Sequence, residues 1–322
     1  STVIDNKLGV LLKNDLEALD CISNKNKKTL KTISVIEQTI SEIHFRESVR
    51  IDEMLKSNSI VPIHFKGDVL AELLYEKRYE RAVGDIDIFV HENDFEKAKN
   101  LLYNDGYKLT IHYGERNPHH IVLFKNDFVL ELHRHIINPA VEINENYILS
   151  NLMRINIDGC QMQTFGYTAT LLHLFYHFYM DMFLELYWKD PNIVFCYAKN
   201  EWVRKKLLKQ YEIVSFAEMY CDDIQWDDFF EDIYKQKLRV FFKDILVGIY
   251  NSYPESIIKK MKSRFDKINY YIDETSPLYD LYKFKAENNY ENIDEIMRNY
   301  IINCHRGKSI PICDTPEQYI IS

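Results

Sequence analysis

The sequence predicts an α+β protein: a small mixed sheet with flanking helices, preceded by a helical cap and followed by an all-helical region. Three observations carry that expectation. Between residues 57 and 140, short runs rich in β-branched and aromatic residues, such as IVPIHF, HHIVLF and FVLELHRHI, alternate with turns and helical stretches. Before and after this segment the apolar residues recur at spacings of three and four, the period of a helix packed on one side. The chain also holds only nine glycines and eight prolines in 322 residues, which leaves little room for tight loops.

Each element has its own signal. From residue 7 to about 56 the pattern is helical, with Ile33, Ile36, Ile40 and Ile43 on one stripe. IVPIHF, residues 60–65, reads as a buried strand ending at Lys66-Gly67-Asp68, and a helix follows over roughly 69–79 with Val69, Leu70, Leu73 and Leu74 inward. DIDIFV is the next strand. Asn93 or Asp94 can cap a helix whose inner face is Phe95, Ala98, Leu101 and Leu102, and Gly106 stops it. YKLTIHY, HHIVLF and FVLELHRHI read as three more strands, the last two joined by a turn at Lys125-Asn126-Asp127. Beyond Gly166, helices are expected over TATLLHLFYHFYMDMFLELYW, EWVRKKLLKQYEIVSFAEMY, WDDFFEDIYKQKLRVFFKDILVGIY and ENIDEIMRNYII, while the tail from His305 reads as irregular. Three domains result: a cap over 1–56, an α/β domain over 57–165 and a helical domain over 166–322.

Composition restricts the function classes. With 46% hydrophobic residues the chain can fill a sizeable core without staples. A formal charge of −9 and a pI of about 5.7 argue against a general nucleic-acid binder, which displays a basic face. The six cysteines show no CxxC spacing, so reduced thiols in a cytoplasmic protein are expected. No signal-peptide pattern opens the chain and no apolar run approaches the length of a membrane span.

The chemistry concentrates in GDIDIFV. Alternate residues of a strand share a face, so Asp85 and Asp87 point the same way, about 6–7 Å apart at their Cα atoms, while Ile86 and Ile88 point toward the helices. Two carboxylates so placed repel and lose hydration unless a counter-charge lies between them. A pair of Mg²⁺ ions about 3.5–4 Å apart suits that arrangement, because hard cations take carboxylate oxygens. Glu131 in FVLELHRHI, sharing a face with Val129 and His133, completes a three-carboxylate site if its strand neighbours DIDIFV. At HFKGDVLAELL a strand runs through Gly67 directly into a helix, which turns backbone N–H groups toward a phosphate, with Lys66 beside it to balance charge.

A strand, a Gly turn, a helix, D-x-D and a third acid on a later strand resemble the nucleotidyltransferase fold shared with DNA polymerase β. More narrowly, KGDVLAELLYEKRYERAVGDIDIFV followed by ELHRH is similar to the bacterial family of uncharacterised nucleotidyltransferases, over about residues 35–250 and most strongly over 63–135. The resemblance extends to LLHLFYHF and to SFAEMYCDDIQWDDF, the histidine-bearing helix and the "tryptophan plus acids" segment.

The resemblance implies a set of roles. Asp85 and Asp87 would bind both metals, and Glu131 would bind the acceptor-side metal and help deprotonate the attacking hydroxyl. Gly67 and its turn would hold the β and γ phosphates, with Lys66 and Arg81 as phosphate-side cations. His133 is a further nucleotide-side candidate. The implied co-substrates are an NTP, ATP foremost, with Mg²⁺ or Mn²⁺, and the acceptor a small molecule or peptide. Asp68 departs from the pattern, since Ser, Gly or Ala usually follows the turn glycine. A carboxylate there would repel a triphosphate unless it caps the helix or binds metal.

Plainer readings stand beside these. Arg81 could pair with Glu80 or Asp85, and Glu131 with Arg134. His119 and His120 could orient substrate or be ordinary hydrogen-bonded residues. His173, His177 and Asp181 form a stripe that fits a nucleotide-facing or simply satisfied surface better than a zinc site. Two rival functions follow: a catalytically silent nucleotide- or partner-binding module of the same fold, and a nucleotidyltransferase that modifies RNA.

Overall fold

The computed structural model describes residues 10–11, 13, 22–82, 84–110, 119–136, 145–189, 207–235, 246, 249–250 and 253–267. The expected helix over ENIDEIMRNYII and the irregular tail from His305 lie outside the described residues, as do parts of the segments beginning at Glu201 and Trp226. The chain divides into two compact units. One comprises Ser1–Ile136, Leu149–Phe165 and Ile321–Ser322, and the other Ile137–Ile148 and Gly166–Ile320.

In the first unit, α1 (Asn24–Ser57) starts at Ser23, whose side chain accepts a hydrogen bond from the Asn26 N–H at 3.3 Å. The face it buries carries Phe45, Ser48, Ile51, Asp52 and Leu55. The residues at helical spacing do lie on one helix, with Ile36 and Ile43 exposed. A helix of 34 residues is about 51 Å long, longer than the small sheet it covers, so only its C-terminal part is held against that sheet.

Five strands follow: β1 (Ile63–His64), β2 (Ile86–Phe89), β3 (Lys108–Leu109), β4 (His120–Lys125) and β5 (Phe128–His133). Their order is β1-β2-β5-β4-β3, with β2 and β5 parallel and the other pairs antiparallel, so the sheet is mixed. Ile86, Ile88, Leu130, Leu132, Ile121 and Leu123 pack with Ile51 and Leu55 of α1 and with Phe95, Ala98 and Leu102 of α3 (Glu92–Asn104). That apolar face leaves the alternate residues Asp87, Glu131, His133 and His120 together on the other face. The strand expected over YKLTIHY is described only at Lys108–Leu109, its remainder lying largely outside the described residues.

Two local expectations are revised. His91, rather than Asn93 or Asp94, caps α3, its ring accepting from the Asn93 N–H at 3.2 Å. The helix after the glycine turn, α2 (Gly67–Leu74), stops at Tyr75 instead of continuing to 79. The chain then forms a short 3₁₀ turn, Arg78–Glu80. Arg78 anchors that departure: its guanidinium stacks 4.2 Å from the Phe45 ring centroid and pairs with Asp158 at 2.7 Å.

The segment after β5 holds structure that the sequence reading did not assign. A short helix, α4 (Glu145–Ser150), precedes an antiparallel hairpin, β6 (Leu152–Ile157) and β7 (Cys160–Phe165). Its turn is Asp158-Gly159, with φ of +48° and +86°, the two left-handed residues that a tight hairpin demands. Ile157 and Met162 join Phe45 and Val69 in a second core cluster.

The described part of the second unit is helical: α5 (Tyr167–Lys189), α6 (Leu207–Met219), α7 (Trp226–Lys235), α8 (Ile257–Lys260) and α9 (Lys262–Lys267). Thr168 Oγ1 accepts from the Gln225 N–H at 2.8 Å at the head of α7, and the buried Tyr176 hydroxyl donates to Asp232 at 2.6 Å. The expected histidine stripe meets α6 through Lys209, whose Nζ lies 3.1 Å from His177 Nδ1; the Asp181 side chain is outside the described residues. Among the described residues, Cys160 and Cys221 are free thiols, and no helix is long and apolar enough to cross a membrane.

Candidate metal and phosphate site

The site grows out of one register. Because β2 and β5 run parallel with Asp87 beside Glu131 and Phe89 beside His133, an acid on each strand meets on the polar face of the sheet. The next strand adds His120, which lies directly across from His133. Ligand atoms of Asp87, Glu131 and His133 all fall within 4.8 Å of one another. Asp85 precedes β2, half-buried, and is not one of those three.

Asp87 is 3% exposed, and a charge so buried has to be matched. Lys66 Nζ donates to Asp87 Oδ1 at 2.9 Å, and His133 Nε2 lies 3.2 Å from the same oxygen. Burial pushes the Asp87 carboxyl up, but Lys66 and then His133 outweigh it and hold the group below the usual range. Burial likewise opposes ionisation of Glu131, and His133, His120 and Lys66 reverse it, keeping that carboxyl well below the usual range. His133 Nε2 is 3.3 Å from Glu131 Oε2, so one imidazole bridges both acids. Its own burial disfavours the charged ring, yet the two carboxylates raise its pKa. Asp85 behaves differently: the charge of Asp87, then burial, then Glu131, push it up to about 6.

The turn before α2 is unusual. Lys66 has φ +57° and ψ −140°, a conformation that costs a non-glycine residue roughly 1–3 kcal/mol, and Gly67 follows at φ +34°. A Cβ on Gly67 would sit 3.7 Å from the Asp85 carbonyl oxygen, an ordinary contact, so the backbone angle rather than space calls for glycine. The turn delivers the chain into α2, whose N-terminus has no side-chain cap from Lys66. A small cleft is lined there by Ser48, Gly67, Asp68, Asp85 and Asp87.

Asp68, in the first turn of α2, is 6% exposed and its Oδ1 makes no hydrogen bond. Burial pushes its carboxyl up to about 6, against the pull of Arg78 and Arg81. Arg81 thus acts electrostatically on both Asp68 and Asp85. Lys66 faces Asp87 rather than open solvent, so it serves as counter-ion to the acids.

Sequence reasoning passed over a second polar chain behind the turn. His64 Nε2 lies 3.0 Å from Asp52 Oδ1, Asp52 Oδ2 pairs with Lys56 at 2.6 Å, and Lys56 donates to the Gln161 carbonyl at 2.8 Å. Ser48 Oγ is 3.4 Å from His64 Nδ1. The signal was present as Ser48, Asp52 and Lys56 at i, i+4 and i+8 on α1. This chain ties α1, β1 and β7 together beneath the Lys66-Gly67 turn. Arg78 was also missed, one cation among several in KRYER.

The residues fit a divalent cation. Asp87 Oδ2 is buried without a hydrogen bond, and it stands next to an ionised Glu131. Hard cations bind such oxygen donors.

A mixed sheet carrying paired acids on adjacent strands, with a glycine turn feeding a helix alongside, defines a nucleotidyltransferase-like protein with a plausible metal-coordinating set. A family model described as "Uncharacterised nucleotidyltransferase" matches residues 3–247, and the chain belongs to that family. No curated protein was found that matches the sequence. Among solved structures, an antigenic nucleotidyltransferase-like protein from Paracoccidioides brasiliensis is 12% identical, aligned over 73% of this chain and 92% of that one with a TM-score of 0.38.

Proposed function

We propose that the chain is a metal-dependent nucleotidyltransferase that moves a nucleoside monophosphate from an NTP, ATP foremost, to a hydroxyl of a small molecule or peptide and releases pyrophosphate. The observation that supports this reading is the register of Asp87 with Glu131 on parallel strands beside the Lys66-Gly67 turn. Asp85, Asp87 and Glu131 would hold Mg²⁺ or Mn²⁺, which when bound supplies charge stabilisation to the reacting phosphoryl oxygens.

The chain's own groups account for the remaining work. In the reaction a bond forms between the acceptor oxygen and the α-phosphorus, and the bond from the α-phosphorus to the bridging β-phosphate oxygen breaks. Glu131 would help remove the hydroxyl proton. His133, His120 and Lys66 outweigh its burial and hold its carboxyl low, so it is ionised, and as a weak base it assists the deprotonation. Gly67 and the first turn of α2 offer backbone N–H groups to the β and γ phosphates, and Lys66 and Arg81 offset their charge. His133 keeps Asp87 and Glu131 oriented by bridging them. In this reading residues 57–165 form the catalytic domain, residues 1–56 its cap, and residues 166–322 a separate helical domain.

Asp68 favours a second reading, a silent nucleotide- or partner-binding module. A buried carboxylate at the phosphate turn opposes a triphosphate. One experiment separates the two. Thermal unfolding is followed with each of the four NTPs, with and without Mg²⁺, on the wild type and on Asp87→Asn. The enzyme reading expects a Mg²⁺-dependent stabilisation by one nucleotide, about 2.7 kcal/mol at a hundredfold excess over Kd, that is lost in the variant. No shift with any NTP would transfer the weight to the silent module.

A further inference from the structure

His119, His120 and His133 form a cluster in which the proposed reaction uses His133 and His120 only through their effect on the two acids and gives His119 no part. The register sets His120 against His133 on neighbouring strands, and His119 immediately precedes β4. Their ring centroids are 4.0 Å apart for His119 and His120, 4.9 Å for His120 and His133, and 5.7 Å for His119 and His133. Each ring can offer a nitrogen within 4.8 Å of those of the other two. Three imidazoles gathered in a largely buried place give up hydration, and apolar residues would pack there at lower cost.

His133 is placed as a ligating histidine is. A ligating histidine usually donates its second ring N–H to a carboxylate, which fixes the ring and leaves the other nitrogen for the metal. His133 does this through Nε2, toward Asp87 at 3.2 Å and Glu131 at 3.3 Å, and its Nδ1 is buried with no hydrogen-bond partner. His120 turns Nε2 toward Glu131 Oε1 at 3.7 Å, while its Nδ1 meets His119 Nε2 at 2.5 Å. His119 and His120 thus already turn a nitrogen toward each other, and His133, whose ring offers a ligand atom within 4.8 Å of theirs, keeps one nitrogen out of any hydrogen bond.

We propose that His119, His120 and His133 form a second metal site, selective for a borderline transition ion of the zinc class, beside the carboxylate site and sharing His133 with it. Imidazole suits Zn²⁺, and three protein ligands leave a fourth position for water or a substrate atom. Mg²⁺ takes oxygen and belongs with the acids. The two sites would thus sort cations by donor type although they lie side by side on one sheet. The assignment stands on the imidazoles alone and does not depend on nucleotidyl transfer.

Co²⁺ is the probe, because a four-coordinate site of three imidazoles and one oxygen absorbs strongly in the visible whereas the hydrated ion scarcely does. Full-length protein titrated with Co²⁺ is expected to develop such bands at one equivalent. Zn²⁺ should abolish them and a large excess of Mg²⁺ should leave them. His119→Gln and His120→Gln should each weaken Co²⁺ binding at least tenfold, with folding confirmed by circular dichroism, and His119→Gln carries the test if the strand variant does not fold. Asp85→Asn should retain the bands. Absence of bands in the wild type would overturn the proposal. So would unchanged Co²⁺ affinity in a folded histidine variant, or loss of the bands in Asp85→Asn as complete as in the histidine variants.

Discussion

Lys66 donates a hydrogen bond to Asp87 across 2.9 Å, from a residue held at φ +57° to a carboxylate only 3% exposed. A turn whose position suggests phosphate binding therefore also neutralises the acid proposed to bind metal. One cation that balances the site is thus part of the chain itself.

Removing that cation leaves Asp87 buried with one fewer partner. Lys66→Met is expected to lower stability by about 3–5 kcal/mol in urea unfolding, the cost of stranding a buried charge. Mg²⁺ should restore part of the loss if the carboxylates hold it. An unchanged midpoint would mean that the pair contributes nothing.

Asp68 offers a test in pH. Burial raises its carboxyl in the folded state to about 6, against an unfolded value of 3.8. Its contribution to stability is thus fully present below the unfolded value and lost as pH rises through about 6. A gap of about two units corresponds to up to ~3 kcal/mol. Asp68→Asn should therefore be more stable than the wild type at pH 7, and the difference should shrink as pH falls toward 4. Equal unfolding midpoints at pH 7 would contradict the burial argument.

Gly67 lies at φ +34°, where a side chain strains the backbone although space is available. Gly67→Ala is expected to cost roughly 1–2 kcal/mol in thermal unfolding. It should also weaken the Mg²⁺-dependent NTP stabilisation by more than the lost stability explains, because the turn would no longer present its N–H groups in register.

Arg78 holds the loop before β2 through a ring and an acid, at 4.2 Å from the Phe45 centroid and 2.7 Å from Asp158. Arg78→Lys keeps the charge but not the planar stacking, so most of the loss seen in Arg78→Ala, about 1–2 kcal/mol, should persist in the lysine variant. Full recovery by lysine would show that charge alone matters.

The sheet and its polar face were legible in the sequence because the alternation in DIDIFV and FVLELHRHI fixes which residues share a side. That those strands would be neighbours was conditional, since pairing between distant segments leaves no local mark. Asp158-Gly159 did signal a hairpin, yet LMRINI and CQMQTF alternate too weakly to draw attention to it. The pairing of Lys66 with Asp87 was hidden because it depends on a backbone angle that lysine seldom adopts. On α1, periodicity predicted a helix running to residue 56 but did not show which third of it would meet the sheet, nor that Ile36 and Ile43 would be exposed.

The β2–β5 pairing has a kinetic consequence. Asp87 and Glu131 are 44 positions apart (131 − 87) and become neighbours only when two parallel strands close over the helix and hairpin between them. Such non-local closure costs chain entropy before any contact offsets it, so the pairing belongs among the later events of folding. Helices α1 and α3 can form from local contacts, but the acidic pair cannot exist in a nascent chain that has not yet released Glu131. Affinity for a divalent ion should therefore appear late in refolding, in step with the slowest native-sheet signal and not with the early rise of helicity.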